Sequence, residues 1–299
     1  MSFKYINPGY AELLDVSGGT TIADAAKSKT GVSFWQPTQG KGINIAEIPT
    51  ELYGKFDVYL PSGTGMDISV DITFCGYCGV HIRGYSREWT IYGYYAGSSY
   101  FSNKTQVIYD AVNTIWFNAK PSDVGDYLTI KANGVEIGKK TGISFNTTSR
   151  YIEIYSSSRL APISNLILSD TEIHPREQVV TLPVKATETT MTANGDGSYT
   201  ASAANQQIMQ SVDVDSLLAE YGEDSEIRGI SLMGNPAYRT AEGLAYLTAL
   251  EDDGMNVTEI GTSEAKQNTA NIVRQGYAKN IKLPALAGYK FGWKAGVDS

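Results

Sequence analysis

Histidine and cysteine are scarce in this sequence, with two of each among 299 residues. Cys75 and Cys78 alone cannot build the disulfide framework of a small secreted domain. Two histidines leave little for base-assisted nucleophilic hydrolysis, and no G-x-S-x-G elbow is present. Gly229-Ile230-Ser231-Leu232-Met233 comes near that pattern but reads as a strand, not a strand-to-helix turn. The G-x-G-x-x-G and P-loop patterns that cradle phosphates are missing too. Charged residues are only 19 %, the net charge is −8, and no Lys/Arg run occurs. A nucleic-acid partner, which needs a basic patch to displace counterions, is therefore excluded from the expectation. No stretch approaches the ~18–20 apolar residues of a membrane-spanning helix. The opening Met1–Pro8 has no apolar leader core, so the chain is expected to be made and folded in the cytoplasm.

What is present is glycine, 30 residues, and tyrosine, 20 residues. With abundant Thr and Ser, they point to strands joined by tight turns, because branched and aromatic side chains suit a pleated surface. Short runs of this kind recur over the first 170 or so residues: 31–36, 56–60, 68–74, 80–83, 89–95, 107–109, 114–120, 126–131, 135–137, 151–155 and 163–168. Ile68, Val70, Ile72 and Phe74 alternate onto one face. Asn133-Gly134 separates two runs and predicts a type I′ hairpin, which needs positive φ at both positions. One short helix is expected near Thr21–Lys29. The spacing of runs and turns predicts a sandwich, and the fold class is all-β.

A polar, Pro-containing stretch at Ser169–Gln178 reads as a linker. It divides residues 1–172, the sandwich, from 179–299, a smaller β-rich domain with one helix. In the second part Val179–Val184 reads as a strand. Asn194-Gly195-Asp196-Gly197 reads as a hairpin turn, since it lacks the further acidic ligands of a calcium loop. Val212–Tyr221 reads as a helix with Asp213 as N-cap and Gly222 just past its end. Strand-like runs follow at 227–233, 244–250, 256–260, 271–277, 281–283 and 289–293.

Cys75-Gly76-Tyr77-Cys78, with His81 three residues on, has the spacing of a redox or metal motif. Strands flank it on both sides where a redox pair needs a helix start, and a closed zinc site needs a fourth ligand. A bend between strands is the expectation, with no metal, cofactor or catalytic residue assigned. The acidic runs Glu223–Glu226 and Glu251–Asp253 read as solvated surface instead of a glycosidase pair. The densest chemistry is aromatic: Tyr85, Trp89, Tyr92, Tyr94, Tyr95, Tyr100 and Phe101 fall in one stretch. Flat rings stack on the C–H faces of sugars and also serve protein interfaces. Because Tyr92 and Tyr94 share a face opposite Ile91 and Gly93, half of the cluster is expected in the core. Tyr85, Trp89, Tyr94, Tyr95 and Tyr100 are the candidate ligand-binding residues.

The order Gly31–Trp35, Tyr53–Leu60, the Trp89–Tyr92 hairpin, the Asp126–Gly138 Asn-Gly hairpin and the closing Ile163–Asp170 resembles concanavalin A-like lectin and laminin-G sandwiches. The resemblance covers about residues 1–172. The E-x-D-x-E signature of laminarinase-type hydrolases sharing that fold is absent, which implies a binding or structural member and not an enzyme. The whole chain, with Thr181–Val184 and Phe291–Gly296, also resembles modular virion and surface proteins of bacteria and their phages. That implies a non-enzymatic phage structural protein of the tail, fibre or capsid decoration, located on the virion and assembled in the host cytoplasm. Its implied partners are other virion proteins or copies of itself as a homo-oligomer, with host surface glycans as the ligand class. A bacterial surface adhesin is the alternative, and a carbohydrate-active enzyme ranks third.

Overall fold

The computed structural model describes residues 4–7, 9, 20–24, 26–30, 32–35, 42–44, 51–63, 68–74, 78–85, 88–95, 98–103, 106–120, 126–143, 151–156, 161–174, 177–238, 245–267 and 273–297. The chain is nearly all β and divides into two compact units, Met1–Val180 and Thr181–Ser299.

The first unit is a β-sandwich. Its larger sheet runs Val135–Ile143, Asp126–Ala132, Ala111–Lys120, Leu52–Leu60, Ile163–Ser169, Val32–Trp35 and Thr20–Ala23, with Lys4–Asn7 also paired to Ile163–Ser169. The six-stranded sheet runs Gly42–Asn44, Tyr151–Ser156, Ile68–Phe74, Cys78–Tyr85, Glu88–Tyr95 and Ser98–Asn103. Period-two alternation aims one side of every strand at the opposite layer. Phe56, Val58, Leu60, Ile115, Phe117 and Ile130 from the large sheet meet Val80, Ile82, Trp89, Ile91 and Ile154 from the small one, all fully buried. Gly54 holds an inward position where a Cβ would stand 2.0 Å from the Phe117 ring. The Asn133-Gly134 turn has φ of 50° and 84°, the type I′ geometry expected of it.

Two expectations fail here. No helix forms at 21–29: Thr20–Ala23 is a strand, and the Asp24 carboxylate accepts from the Ala26 N–H at 3.0 Å to make a turn instead. The β-branched Thr20-Thr21-Ile22 favours the pleat over the helix. Nor is 107–109 a strand. Asn113, fully buried, accepts from the Ile108 N–H and donates to its carbonyl, both at 2.8 Å, so a side-chain amide replaces the ladder partner.

The stretch read as a linker is docked onto the first unit. Ile173 is buried, and its carbonyl accepts from the Trp116 indole at 3.3 Å. Lys55 donates to the Glu177 carbonyl, and the Val179 N–H donates to Asn165 Oδ1 at 2.8 Å. These bonds fall on the outward side of the large sheet, where Asp57 is fully buried and accepts from Asn165 (2.8 Å) and Thr114 (2.5 Å).

In the second unit a five-stranded sheet runs Val184–Thr189, Gln207–Val212, Lys290–Val297, Ala245–Asp252 and Val257–Glu264. The ribbon of Glu226–Gly234 and Val273–Lys282 packs with it. Their core holds Val212, Ala249, Phe291 and Trp293 from the sheet, Ile230, Leu232 and Val273 from the ribbon, and Val214 and Leu217 from a helix. That helix, Val214–Tyr221, starts at Asp213, whose carboxylate accepts from the Ser216 N–H, and ends at Gly222 with φ 83°. Of the strand-like run expected at 281–283, Ile281 and Lys282 are in the strand, while Leu283 opens a single 3-10 turn, Leu283–Leu286, with Pro284 in it. The first strand lies at Val184–Thr189, later than the 179–184 expected; the Val179 N–H donates to Asn165 instead of to a ladder partner, and Leu182 packs against the second unit's core. The Asn194–Gly197 segment is a hairpin turn joining Thr192–Ala193 to Tyr199–Thr200, with Asp196 accepting from Ser198.

Candidate functional site

The outward side of the six-stranded sheet carries part of the aromatic cluster, Tyr85, Tyr92 and Tyr94. Along Cys78–Tyr85, Val80, Ile82 and Gly84 point inward, which sends Gly79, His81, Arg83 and Tyr85 outward. Along Glu88–Tyr95, Trp89, Ile91 and Gly93 point inward, which sends Glu88, Thr90, Tyr92 and Tyr94 outward. Register aligns the rows: His81 lies opposite Tyr92, and Tyr92 opposite Ser102. Thr73 lies opposite Gly79, and Gly79 opposite Tyr94. Arg83 lies opposite Thr90. Glu153, between the inward Ile152 and Ile154, lies opposite Thr73 and extends the face by one more strand.

The absence of a side chain at Gly79 leaves Tyr94 room to lean, and its ring stacks on His81 at 4.2 Å between centroids and 23° between planes. Both imidazole nitrogens are closed to solvent. His81 therefore acts as a bed for the tyrosine, not as a group that reaches a ligand. Burial, aided by the nearby Arg83 charge, pushes the imidazole pKa down to about 4, so the ring under Tyr94 is neutral at neutral pH. Tyr92 and Tyr94 are half-exposed and, as i and i+2 on one strand, sit about 7 Å apart. Beside them lie exposed Arg83 and Ser102, with Thr73 two strands from Tyr94 and Glu153 one strand farther, about 14 Å off. Flat apolar rings rimmed by donors and acceptors suit a polyhydroxylated ligand.

Of the residues expected to bind a ligand, Tyr94 lies in this face, and Tyr85 lies on the same side at its far end, 71 % exposed. Trp89 does not belong to it. Its side chain is fully buried in the sandwich core, with the indole donating to the Pro61 carbonyl at 2.8 Å. Parity along the strand carries the reason: Trp89 shares a face with Ile91, not with Tyr92 and Tyr94. The side chains of Tyr95 and Tyr100 lie outside the described residues, as do Cys75 and the side chain of Cys78. His81, Arg83, Tyr92 and Glu153 are additions; the same parity, applied to 78–85, 88–95 and 151–156, is the signal for them. Among the described residues no group of His, Cys, Asp and Glu is placed to hold a metal ion, and no helix is long and apolar enough to cross a membrane.

No protein-family model matches the chain. No curated protein sequence matches it either. Among solved structures, the chain is similar to the Caenorhabditis elegans galectin LEC-6 at 12 % identity and a TM-score of 0.30, over 44 % of this chain and 89 % of that one. It is similar to the endo-β-1,4-glucuronan lyase of the fungus Trichoderma reesei at 9 % identity and a TM-score of 0.35, over 55 % and 92 %. It is similar to the CBM2 module of the evolved Dit of Lactobacillus casei BL23 phage J-1 at 10 % identity and a TM-score of 0.32, over 58 % and 99 %. Likenesses at these values assign neither a family nor an activity.

Proposed function

We propose that the first unit is a lectin-like, carbohydrate-binding module that works by binding and not by catalysis. The observation that carries this reading is the outward pair Tyr92 and Tyr94, the latter seated on a buried neutral His81, with Arg83 and Ser102 beside them to bond the hydroxyls of a stacked sugar and Thr73 and Glu153 farther along the same face for an extended chain. The setting we propose is a phage structural protein of the tail, fibre or capsid decoration, where such a module engages glycans of the host surface. In that setting the second unit serves attachment or self-association. Its edge strand Val184–Thr189 is exposed at every residue, which leaves it available to another virion protein or a second copy of this chain.

Calorimetric titration of the whole chain against a panel of neutral oligosaccharides tests the module. Binding in the micromolar to millimolar range is expected, and Tyr94→Ala should weaken it about 5- to 30-fold, the worth of one stacked ring. Affinity that is unchanged in the Tyr92→Ala/Tyr94→Ala double variant overturns the assignment. New reducing ends released from any polysaccharide would argue for an enzyme instead. Light scattering of the purified chain reads the self-association: a monomer at every concentration removes it.

A further inference from the structure

We propose that the outward side of the large sheet carries a second ligand site, for an anionic saccharide, built on Trp116, Tyr127, Lys131 and Lys139. This reading stands apart from the neutral-sugar site, since it uses the opposite layer of the sandwich. Register places Trp116 opposite Lys131, Tyr127 opposite Lys120, and Lys139 opposite Thr129. Both rings are half-exposed and both are held at their polar ends. The Trp116 indole donates to the Ile173 carbonyl, and the Tyr127 hydroxyl donates to Glu51 Oε1 at 2.9 Å. Asn118 donates to the same oxygen at 3.0 Å, and Lys120 pairs with Oε2 at 3.3 Å. Glu51 is thereby used up internally. Burial alone would raise its pKa, but these bonds and one from Tyr53 outweigh it and hold the carboxylate ionised.

Lys131 and Lys139 differ from the neighbouring cations. Lys27, Lys29 and Lys120 each pair with a carboxylate. Among the described residues Lys131 and Lys139 have no carboxylate partner, although Glu136 stands opposite Lys131 in register. Their ammonium groups rest over the Trp116 and Tyr127 rings, 4.6 Å and 4.8 Å from the centroids. A cation on a ring face is a replaceable cover, worth little at an exposed site. An anionic sugar offers both replacements at once: its C–H face takes the ring, and its carboxylate, sulfate or phosphate takes the ammonium. The two lysines lie on adjacent strands in a diagonal relation, about 7–8 Å apart at their origins. Their ammonium groups lie farther apart, over rings that register sets four residues apart along the strands, about 13 Å. That separation matches spaced charges along a charged polymer, not a single monosaccharide.

The test is titration of the whole chain with oligogalacturonate, dextran sulfate and neutral dextran at low and moderate salt. The variants are Lys131→Gln/Lys139→Gln and, on the other face, Tyr94→Ala. Binding of at least one charged probe is expected, weakened by salt, about tenfold weaker in the lysine double variant and unchanged in Tyr94→Ala. Oligogalacturonate alone would assign a carboxylate as the recognised group, and dextran sulfate alone a sulfate ester. Failure of both charged probes to bind overturns the site, as does affinity indifferent to the lysine substitutions. Loss in Tyr94→Ala also overturns it and moves the anion to the other face. The neutral-sugar reading fails separately, if Tyr94→Ala leaves neutral-oligosaccharide binding untouched.

Discussion

The two units bury their apolar side chains to different depths. In the first, two sheets close on each other, and Phe56, Val58, Leu60, Ile82, Ile91, Ile115, Phe117 and Ile130 are all 0 % exposed. In the second, one sheet is roofed by a ribbon, a helix and a 3-10 turn, and Val212, Val214, Val273, Phe291 and Trp293 stay 8–9 % exposed. Its edge strand Val184–Thr189 is exposed throughout. The lesson is one of layers: a sheet covered along its full width hides whole rings, while a sheet covered by short pieces leaves seams. A rigid two-layer body suits a precise ligand face, since strands hold side chains more firmly than loops do. The thinner unit, whose edge strand has no second neighbour among the described residues, is the part proposed above for attachment.

The largest expected effect tests that difference directly. Phe117→Ala opens a cavity against Gly54 in a core with no seam to collapse through, and should cost about 3–5 kcal/mol. Trp293→Ala removes a larger ring from the second unit, yet a partly open site can relax, and about 3 kcal/mol is expected. Hydrogen exchange read peptide by peptide reports each unit separately. A greater loss for Trp293→Ala than for Phe117→Ala would break the comparison.

Parity made most of this molecule readable. Ile68–Phe74 is a strand over the whole expected span, the Asn133-Gly134 turn and the Asp213 cap fall where their chemistry puts them, and most other strands differ only at their ends. The strands Lys4–Asn7, Gly42–Asn44, Ser98–Asn103 and Gln207–Val212 fall outside the expected runs. Three of the other failures share a cause: a side chain replaced a backbone partner. Asn113 took over the backbone bonds of Ile108, Asp24 turned an expected helix into a bend, and Asn165 captured Val179 from an expected strand. Such side-chain bonds have no periodic signature. At the site, composition drew attention to the tyrosines, but composition cannot tell Trp89, fully buried, from Tyr85, 71 % exposed. Parity can, and it also finds His81 and Arg83, which no aromatic count would choose.

Acid provides a second, smaller lever on the first unit. An unfolded imidazole takes a proton near 6.5, whereas folded His81 does so only at about 4, chiefly because it is buried. Between those values the unfolded chain binds more protons, so stability present above pH 6.5 is lost as the pH falls toward 4. The loss should be on the order of 1–3 kcal/mol. Melting followed from pH 7 to 4.5 should show it for the first unit, and His81→Gln should flatten the slope. An equal slope in the variant would mean that another group carries the acid response.

The smallest effect belongs to the second unit and rests on one carboxylate. Asp213 accepts from the Ser216 N–H at 3.3 Å and from its hydroxyl at 2.7 Å, satisfying a donor that the first helical turn leaves over. The helix is only eight residues long, too short to persist without its packing. Asp213→Ala should cost about 1 kcal/mol, and the cost should appear in exchange of 214–221 and of the strands packed on Leu217. The sandwich core cluster is made of first-unit residues, and its amides should be unmoved. Faster exchange in Leu52–Leu60 as well would show that the two units share stability, and the contrast between a closed body and a seamed one would then describe packing alone.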